Sequence, residues 1–220
     1  MFTPQSTLAE LATQVPAASR VFHRHHLDFC CGGGVSLERA CAAGHLDPAA
    51  LLAEIESERA RAADAEPPPT TSAEALIAHI LERYHEPLMP EVTRLIGLAK
   101  KVEAVHADHP DCPRGLADHL EAMDEALASH LAKEEEVLFP LILQGRGSNA
   151  HTPVRVLLHE HDDHGVSLRK TRAICHDFQP PADACNSWRA LYLGLDALEL
   201  DLMEHIHLEN NVLFPRILQR

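Results

Sequence analysis

One segment of this chain is written twice. HLAKEEEVLFPLIL begins at His130 and HIHLENNVLFPRIL at His205, and both carry His-x-x-x-Glu followed by Val-Leu-Phe-Pro. On a helix, residues i and i+4 share a face about 6 Å apart, so His130 with Glu134, and His205 with Glu209, can each present two donors to one point. A single pair of this kind is ordinarily a hydrogen bond on a solvated face. Two in register, both ending in Leu-Phe-Pro, point to a two-fold-related metal site carried on long helices.

The rest of the chain agrees with helices. Only 4% of residues are aromatic, Ala and Leu dominate, and no run alternates in polarity as a strand would. Composition breaks at SERARAADAEPPPTT, residues 57–71, where a charged helical run gives way to prolines and then threonines. The expected organisation is a small helical domain over 1–60, a Pro-rich linker over 61–71 and an up-down four-helix bundle over 72–220. Helices are expected near 72–104, 114–142, 153–177 and 184–218, separated by HADHPDCPRG, QGRGSNAHTP and DFQPPADA, each with the Gly or Pro that a helix stop needs. Thr71-Ser72-Ala73-Glu74 fits a capping box opening the first of these, and Pro87 and Pro90 predict a kink in it just after His85. Upstream, three or four short helices are expected around Leu8, Leu11, Val15, Val21, Phe22, Leu27, Leu37 and Leu51. Gly32, Gly33 and Gly34 follow the vicinal pair Cys30-Cys31, either for close approach or positive φ, or as a plain loop.

A formal charge of −14 argues against nucleic acid or an anionic membrane as partner. No apolar run approaches a bilayer-spanning length, and the first residues lack a basic stretch followed by an apolar one, so a soluble cytoplasmic protein is expected. Six scattered cysteines do not make a disulfide framework. Adjacent cysteines could close only a strained ring, which favours metal, nitric oxide or a partner thiol as the ligand of Cys30 and Cys31 over a disulfide; the plain alternative is two buried, unreactive thiols.

A bundle that encloses two metals needs donors from all four helices. His85 precedes His130 by 45 residues and His161 precedes His205 by 44, so two matched half-sites supply four imidazoles and two carboxylates. That mixture suits iron or manganese rather than zinc or a cluster. With both glutamates bridging, and a solvent-derived oxo or hydroxo between the ions, each ion has two histidines, five donors in all and one open position for a diatomic or a peroxide. The stretch HEHDDH also offers His159 and His164, and only the interval selects His161. His79, His106, His109, His119, His151, His176 and His207 lack partners at ligand spacing and are expected to be exposed or structural. Glu135, Glu136 and Glu160 are expected to be solvated or to support the ligands, and Val137, Leu138, Phe139, Val212, Leu213 and Phe214 to be core.

DFCCGG, RYHEPLMPEV, SHLAKEEEVLFP, HEHD and EHIHLENNVLFPRIL together resemble the iron-sulfur cluster repair di-iron family, known as RIC, along the whole chain. The resemblance implies a short N-terminal ScdA-type domain bearing the cysteine pair, followed by a hemerythrin-like four-helix bundle with a non-heme di-iron centre. It places the family's ligands on His85, His130, Glu134, His161, His205 and Glu209, with the glutamates bridging, and matches Cys30 and Cys31 to the family's pair. It implies two irons per chain, damaged iron-sulfur proteins as clients and nitric oxide or peroxide as small ligands. Repair by iron donation and a nitric oxide reductase activity both come with the resemblance. A third glycine, Cys41 near the pair and two prolines after His85 depart from the pattern without removing a ligand.

Two other functions fit parts of the sequence. A hemerythrin-like carrier or sensor would bind oxygen or nitric oxide without turnover, but has no use for Cys30 and Cys31 and ordinarily has five histidines. The N-terminal unit could instead be a docking or redox-sensing module, and its linker would let it reach its own bundle or that of a second copy, leaving a homodimer open.

Overall fold

The computed structural model describes residues 2–61, 68 and 72–218. Apart from Arg61 and Pro68, the linker expected over 61–71 lies outside the described residues, as does Thr71 of the expected capping box. The Ser72 hydroxyl accepts from the Ala75 N–H at 3.1 Å at the start of the next helix.

All described regular structure is helical, as the composition predicts. The short helices α1 (Leu8–Gln14), α2 (Ala17–Arg24), α3 (Leu37–Gly44) and α4 (Pro48–Arg61) are followed by α5 (Ala73–Ile80) and α6 (Glu86–Val105). Next come α7 (Leu116–Lys133), α8 (Phe139–Leu143), α9 (His151–Ile174), α10 (Asn186–Leu208) and α11 (Phe214–Leu218). Three wide turns of π-helix join consecutive elements: π1 (Leu81–His85) between α5 and α6, π2 (Glu134–Leu138) between α7 and α8, and π3 (Glu209–Leu213) between α10 and α11. Each lies just ahead of a proline, Pro87, Pro140 or Pro215. A proline ring collides with the carbonyl four residues earlier and has no N–H to give it, and a turn widened by one residue relieves that conflict. The bond that closes π2 runs from the Phe139 N–H to the Glu134 carbonyl, and the one that closes π3 from the Phe214 N–H to the Glu209 carbonyl. The first long helix accommodates Pro87 with a π turn that ends at His85, one of the backbone features by which a helix changes direction.

Two compact units emerge: Met1–Ile80 with Met203–Arg220, and Leu81–Leu202. In Leu81–Leu202, α6 packs along α7 and α7 along α9. α10 closes the up-down arrangement through Trp188, Leu191, Tyr192, Leu195 and Leu198, all buried. Gly194 lets α10 approach α6, since a Cβ there would lie 2.6 Å from Leu95 Cδ2.

In the other unit, α2 packs on α4 and α1 on α2. The eight apolar residues expected there, Leu8 to Leu51, are all buried; Leu11, Val21, Phe22 and Leu37 have no exposed surface. Burial of each large side chain contributes about 1.5–3 kcal/mol. Thr7 and Glu10 form a reciprocal capping box at the start of α1. The turn π3 packs on α1, and Met203 packs against the same core.

The loop carrying Cys30 and Cys31 is bonded to α1, with the Ala9 N–H donating to the Gly33 carbonyl at 2.9 Å. None of the three glycines after the cysteines has a positive φ. Gly33 is demanded by close approach instead: a Cβ would sit 2.4 Å from the Phe29 carbonyl oxygen and 3.0 Å from Ala9 Cβ, whereas at Gly34 it would meet nothing. Gly33→Ala is therefore expected to lower stability by about 1–3 kcal/mol, with Gly34→Ala nearly neutral; denaturant midpoints of the two variants check this.

Candidate metal centre

Glu134, the first residue of π2, is fully buried, and imidazoles stand on both its oxygens. His85 Nε2 lies 3.5 Å from Oε2, and His130 Nε2 lies 3.4 Å from Oε1. His161 Nε2 lies 3.9 Å from that same Oε1 and 3.1 Å from His130 Nε2. The carboxylate is thus set between two nitrogen groups, His85 on one side and His130 with His161 on the other. The half-site reading pairs His85 with His130 by interval, but in space it is His161 that stands beside His130. Of the histidines in HEHDDH, His161 is buried at this carboxylate and His159 is exposed. His164 is buried too, its ring edge-on to His130 at 4.8 Å.

Two carboxylates behind the rings fix their orientation. Glu135 Oε1 is 2.8 Å from His85 Nδ1, and Glu160 Oε2 is 3.0 Å from His130 Nδ1. Lys133 Nζ reaches the other Glu160 oxygen at 2.5 Å. Partial burial works to raise the Glu160 carboxyl, but Lys133 and His130 together hold it below its ordinary range. A carboxylate on Nδ1 assigns the ring proton to that nitrogen and leaves Nε2 as a bare acceptor aimed at Glu134. Acceptors facing acceptors in a buried space call for a cation. The spacing suits one: two nitrogens each about 2.1 Å from one ion, at roughly a right angle, stand about 3.0 Å apart. Among the expected carboxylates, Glu135 and Glu160 support the rings, while Glu136 is exposed.

The second copy of the repeat lies in the unit built from both chain ends. His205 and Glu209 are buried, with His205 Nε2 3.3 Å from Glu209 Oε1. Glu209 opens π3 as Glu134 opens π2. The copies diverge just after the glutamate: Glu135-Glu136 in the first becomes Asn210-Asn211 in the second, and the replacement has a structural use. Asn210 Nδ2 donates to the Cys30 carbonyl at 3.2 Å, and Asn211 Nδ2 to the same oxygen at 3.0 Å and to the Phe29 carbonyl at 3.3 Å. His207 is buried between this clasp and α1, with Nδ1 3.1 Å from Asn211 Nδ2 and Nε2 3.3 Å from Thr13 Oγ1. Sequence reasoning missed this clasp, and the mismatch inside the repeat was the signal for it.

Cys30 is buried and Cys31 half-buried, with sulfurs 3.7 Å apart. Asp28 Oδ1 accepts from the Cys31 N–H at 2.9 Å and stands 3.3 Å from Cys30 Sγ. The donors of Asp28, Cys30 and Cys31 all lie within 4.8 Å of one another. Its hydrogen bond with Cys31, burial and the charge of Asp28 push the Cys30 thiol well above the ordinary thiol value. Of the other histidines, His119 is structural: Nε2 lies 3.1 Å from the Ser167 carbonyl oxygen and 3.0 Å from Thr171 Oγ1, and burial holds the ring below its ordinary value.

The family model described as the hemerythrin HHE cation binding domain matches residues 76–217. The ScdA_N model, described as a domain of unknown function, matches residues 4–59. The iron-sulfur cluster repair protein YtfE of Pectobacterium carotovorum subsp. carotovorum is 45% identical over 213 residues, covering 97% of this chain and 96% of the relative. Its namesake in Yersinia pseudotuberculosis is 45% identical over 216 residues, with the same coverage of each chain. That of Musicola paradisiaca is 44% identical over 220 residues, covering 98% of this chain and 97% of the relative. No helix among the described residues is long and apolar enough to cross a membrane.

Because Asp28 disfavours a thiolate at Cys30, Asp28→Asn is expected to speed alkylation of Cys30, while in the unaltered protein Cys31 is alkylated first. Time-resolved peptide mapping after iodoacetamide checks both; equal rates at the two cysteines would contradict the geometry.

Proposed function

The chain belongs to the iron-sulfur cluster repair family of hemerythrin-like proteins, and from that premise we propose that it restores iron-sulfur clusters damaged by nitric oxide or peroxide, in the cytoplasm, through a non-heme di-iron centre. His85, His130, Glu134, His161, His205 and Glu209 would hold two irons, with Glu134, Glu209 and a solvent-derived oxo or hydroxo bridging them. One observation carries the reading: Glu134 is fully buried, with His85 at one oxygen and His130 and His161 at the other. That is the arrangement a bridging carboxylate needs, and the imidazole and carboxylate set suits iron.

Iron held there supplies redox chemistry toward nitric oxide or peroxide, or the ion itself for a depleted cluster. The chain's own residues prepare the place. Glu135 and Glu160 keep the Nδ1 protons of His85 and His130, so that each Nε2 faces inward. Phe139, buried with its ring 5.7 Å from that of His85, walls the site against water. Asn210 and Asn211 hold the backbone of the cysteine pair to the turn that begins at Glu209. A thiol pair so placed supports repair over reversible carriage, which has no use for it. The clients are damaged iron-sulfur proteins.

Metal analysis of aerobically purified protein should find two irons per chain with an oxo-bridge charge-transfer band, lost in Glu134→Ala and in Glu209→Ala. Zinc, one metal or none would overturn the six-ligand centre. Glu160→Gln is expected to weaken iron binding by about 10- to 100-fold, read by competition with a chelator. Iron-loaded protein should reactivate a nitrosylated cluster enzyme and apo protein should not. Reversible oxygen binding without reactivation would assign the chain to the carriers.

A further inference from the structure

Within the unit Leu81–Leu202, a second cysteine centre stands far from Glu134. Cys185 is the residue before α10, and the Arg189 N–H donates to its carbonyl at 3.0 Å, so it occupies the N-cap position. Its sulfur accepts the backbone N–H groups of Trp188 and Ser187, the place an Asp or Ser oxygen ordinarily takes. His106, which terminates α6, brings Nε2 to 3.2 Å from Cys185 Sγ. The partial positive charge at the start of α10 favours a thiolate there. At 1.5 Å per residue along α6, His106 lies roughly 30 Å from His85.

The surroundings hold this pair still and leave it reachable. The fully buried Trp188 packs its ring 5.0 Å from that of His106 and 5.2 Å from that of His109, and His109 Nε2 is 3.3 Å from Asp183 Oδ1. Cys185 itself is half-buried, whereas Cys112 and Cys175 are buried. The Trp188 and His106 hydrogen bonds hold the Cys185 thiol below its ordinary value, while burial pushes that of Cys175 up to about 12. A nucleophile and a base within hydrogen-bonding reach, with the base set by a packed ring, is the arrangement of an activated thiol.

The geometry points to Cys185 and His106 as a thiol–disulfide exchange site for low-molecular-weight disulfides, at the end of α6 remote from His85. His106 Nε2 takes the thiol proton, and Cys185 Sγ attacks one sulfur of the incoming disulfide. A bond forms between Sγ and that sulfur as the original S–S bond breaks. Cys185 is oxidised to the mixed disulfide, and the other half leaves as a thiolate, reduced, taking the proton back from His106.

The test uses the full-length, metal-loaded protein with oxidised glutathione and, in parallel, iodoacetamide, mapped by peptide mass spectrometry. Cys185 is expected to form the mixed disulfide, and to be alkylated at neutral pH at least about three-fold faster in the folded protein than in the urea-unfolded chain. His106→Gln should remove most of that gain with helicity and iron content unchanged. Emission of Trp188, the one tryptophan of the chain, should shift with glutathione in the unaltered protein and not in Cys185→Ser. Alkylation no faster in the folded chain, a rate indifferent to His106→Gln, or rapid alkylation with no mixed disulfide would each overturn the proposal.

Discussion

The candidate centre depends on the burial of a carboxylate. Glu134 has no exposed surface, and a carboxylate taken from water without compensation costs several kcal/mol. The bare ring nitrogens at both oxygens do not offset that cost, and the further carboxylates behind two of the rings keep their lone pairs turned inward, so compensation calls for a cation between them. Every other feature of the centre follows from placing Glu134 correctly. The widened turn π2 begins at it, and the Phe139 N–H that closes the turn is bonded to its carbonyl, so Glu134 is held by its main chain as well as by its side chain.

Prolines are the agents of this placement. Pro87, Pro140 and Pro215 each follow a π turn, and the three turns carry His85, Glu134 and Glu209 at one end or the other. His130, His161 and His205 lie instead in the regular α-helices α7, α9 and α10. A residue disfavoured inside helices thus marks where the backbone is re-aimed, at the modest expense of a wider turn.

Much of this was legible beforehand, because the periodicity of a long amphipathic helix and its stops are local properties. The expected 72–104 became 73–105 through α5, π1 and α6, and the expected 114–142 became 116–143. The repeat marked His130, Glu134, His205 and Glu209 because i,i+4 spacing is set by helix geometry alone. What stayed hidden is non-local. Intervals along the chain cannot say which helix faces meet, so His85 was grouped with His130 when His161 is the ring beside it. Three glycines in a row read alike, although only Gly33 has a backbone oxygen pressed against it. Asn210 and Asn211 looked like variation on Glu135 and Glu136 until their amides were found on the Phe29 and Cys30 carbonyls.

That clasp bears on how the protein is made. Cys30 precedes by 180 and 181 residues the Asn210 and Asn211 amides that fasten its backbone, so the thiol loop is synthesised long before its fastening. The unit they share, Met1–Ile80 with Met203–Arg220, is built from the two ends of the chain, a contact of long sequence separation that local helix formation cannot anticipate. Until Asn210 and Asn211 have been added, therefore, the thiol loop lacks its fastening. A chain cut short before Asn210 loses Glu209 in the second copy of the repeat only when the cut also removes that residue, yet any such truncation leaves the cysteine loop without its final restraint.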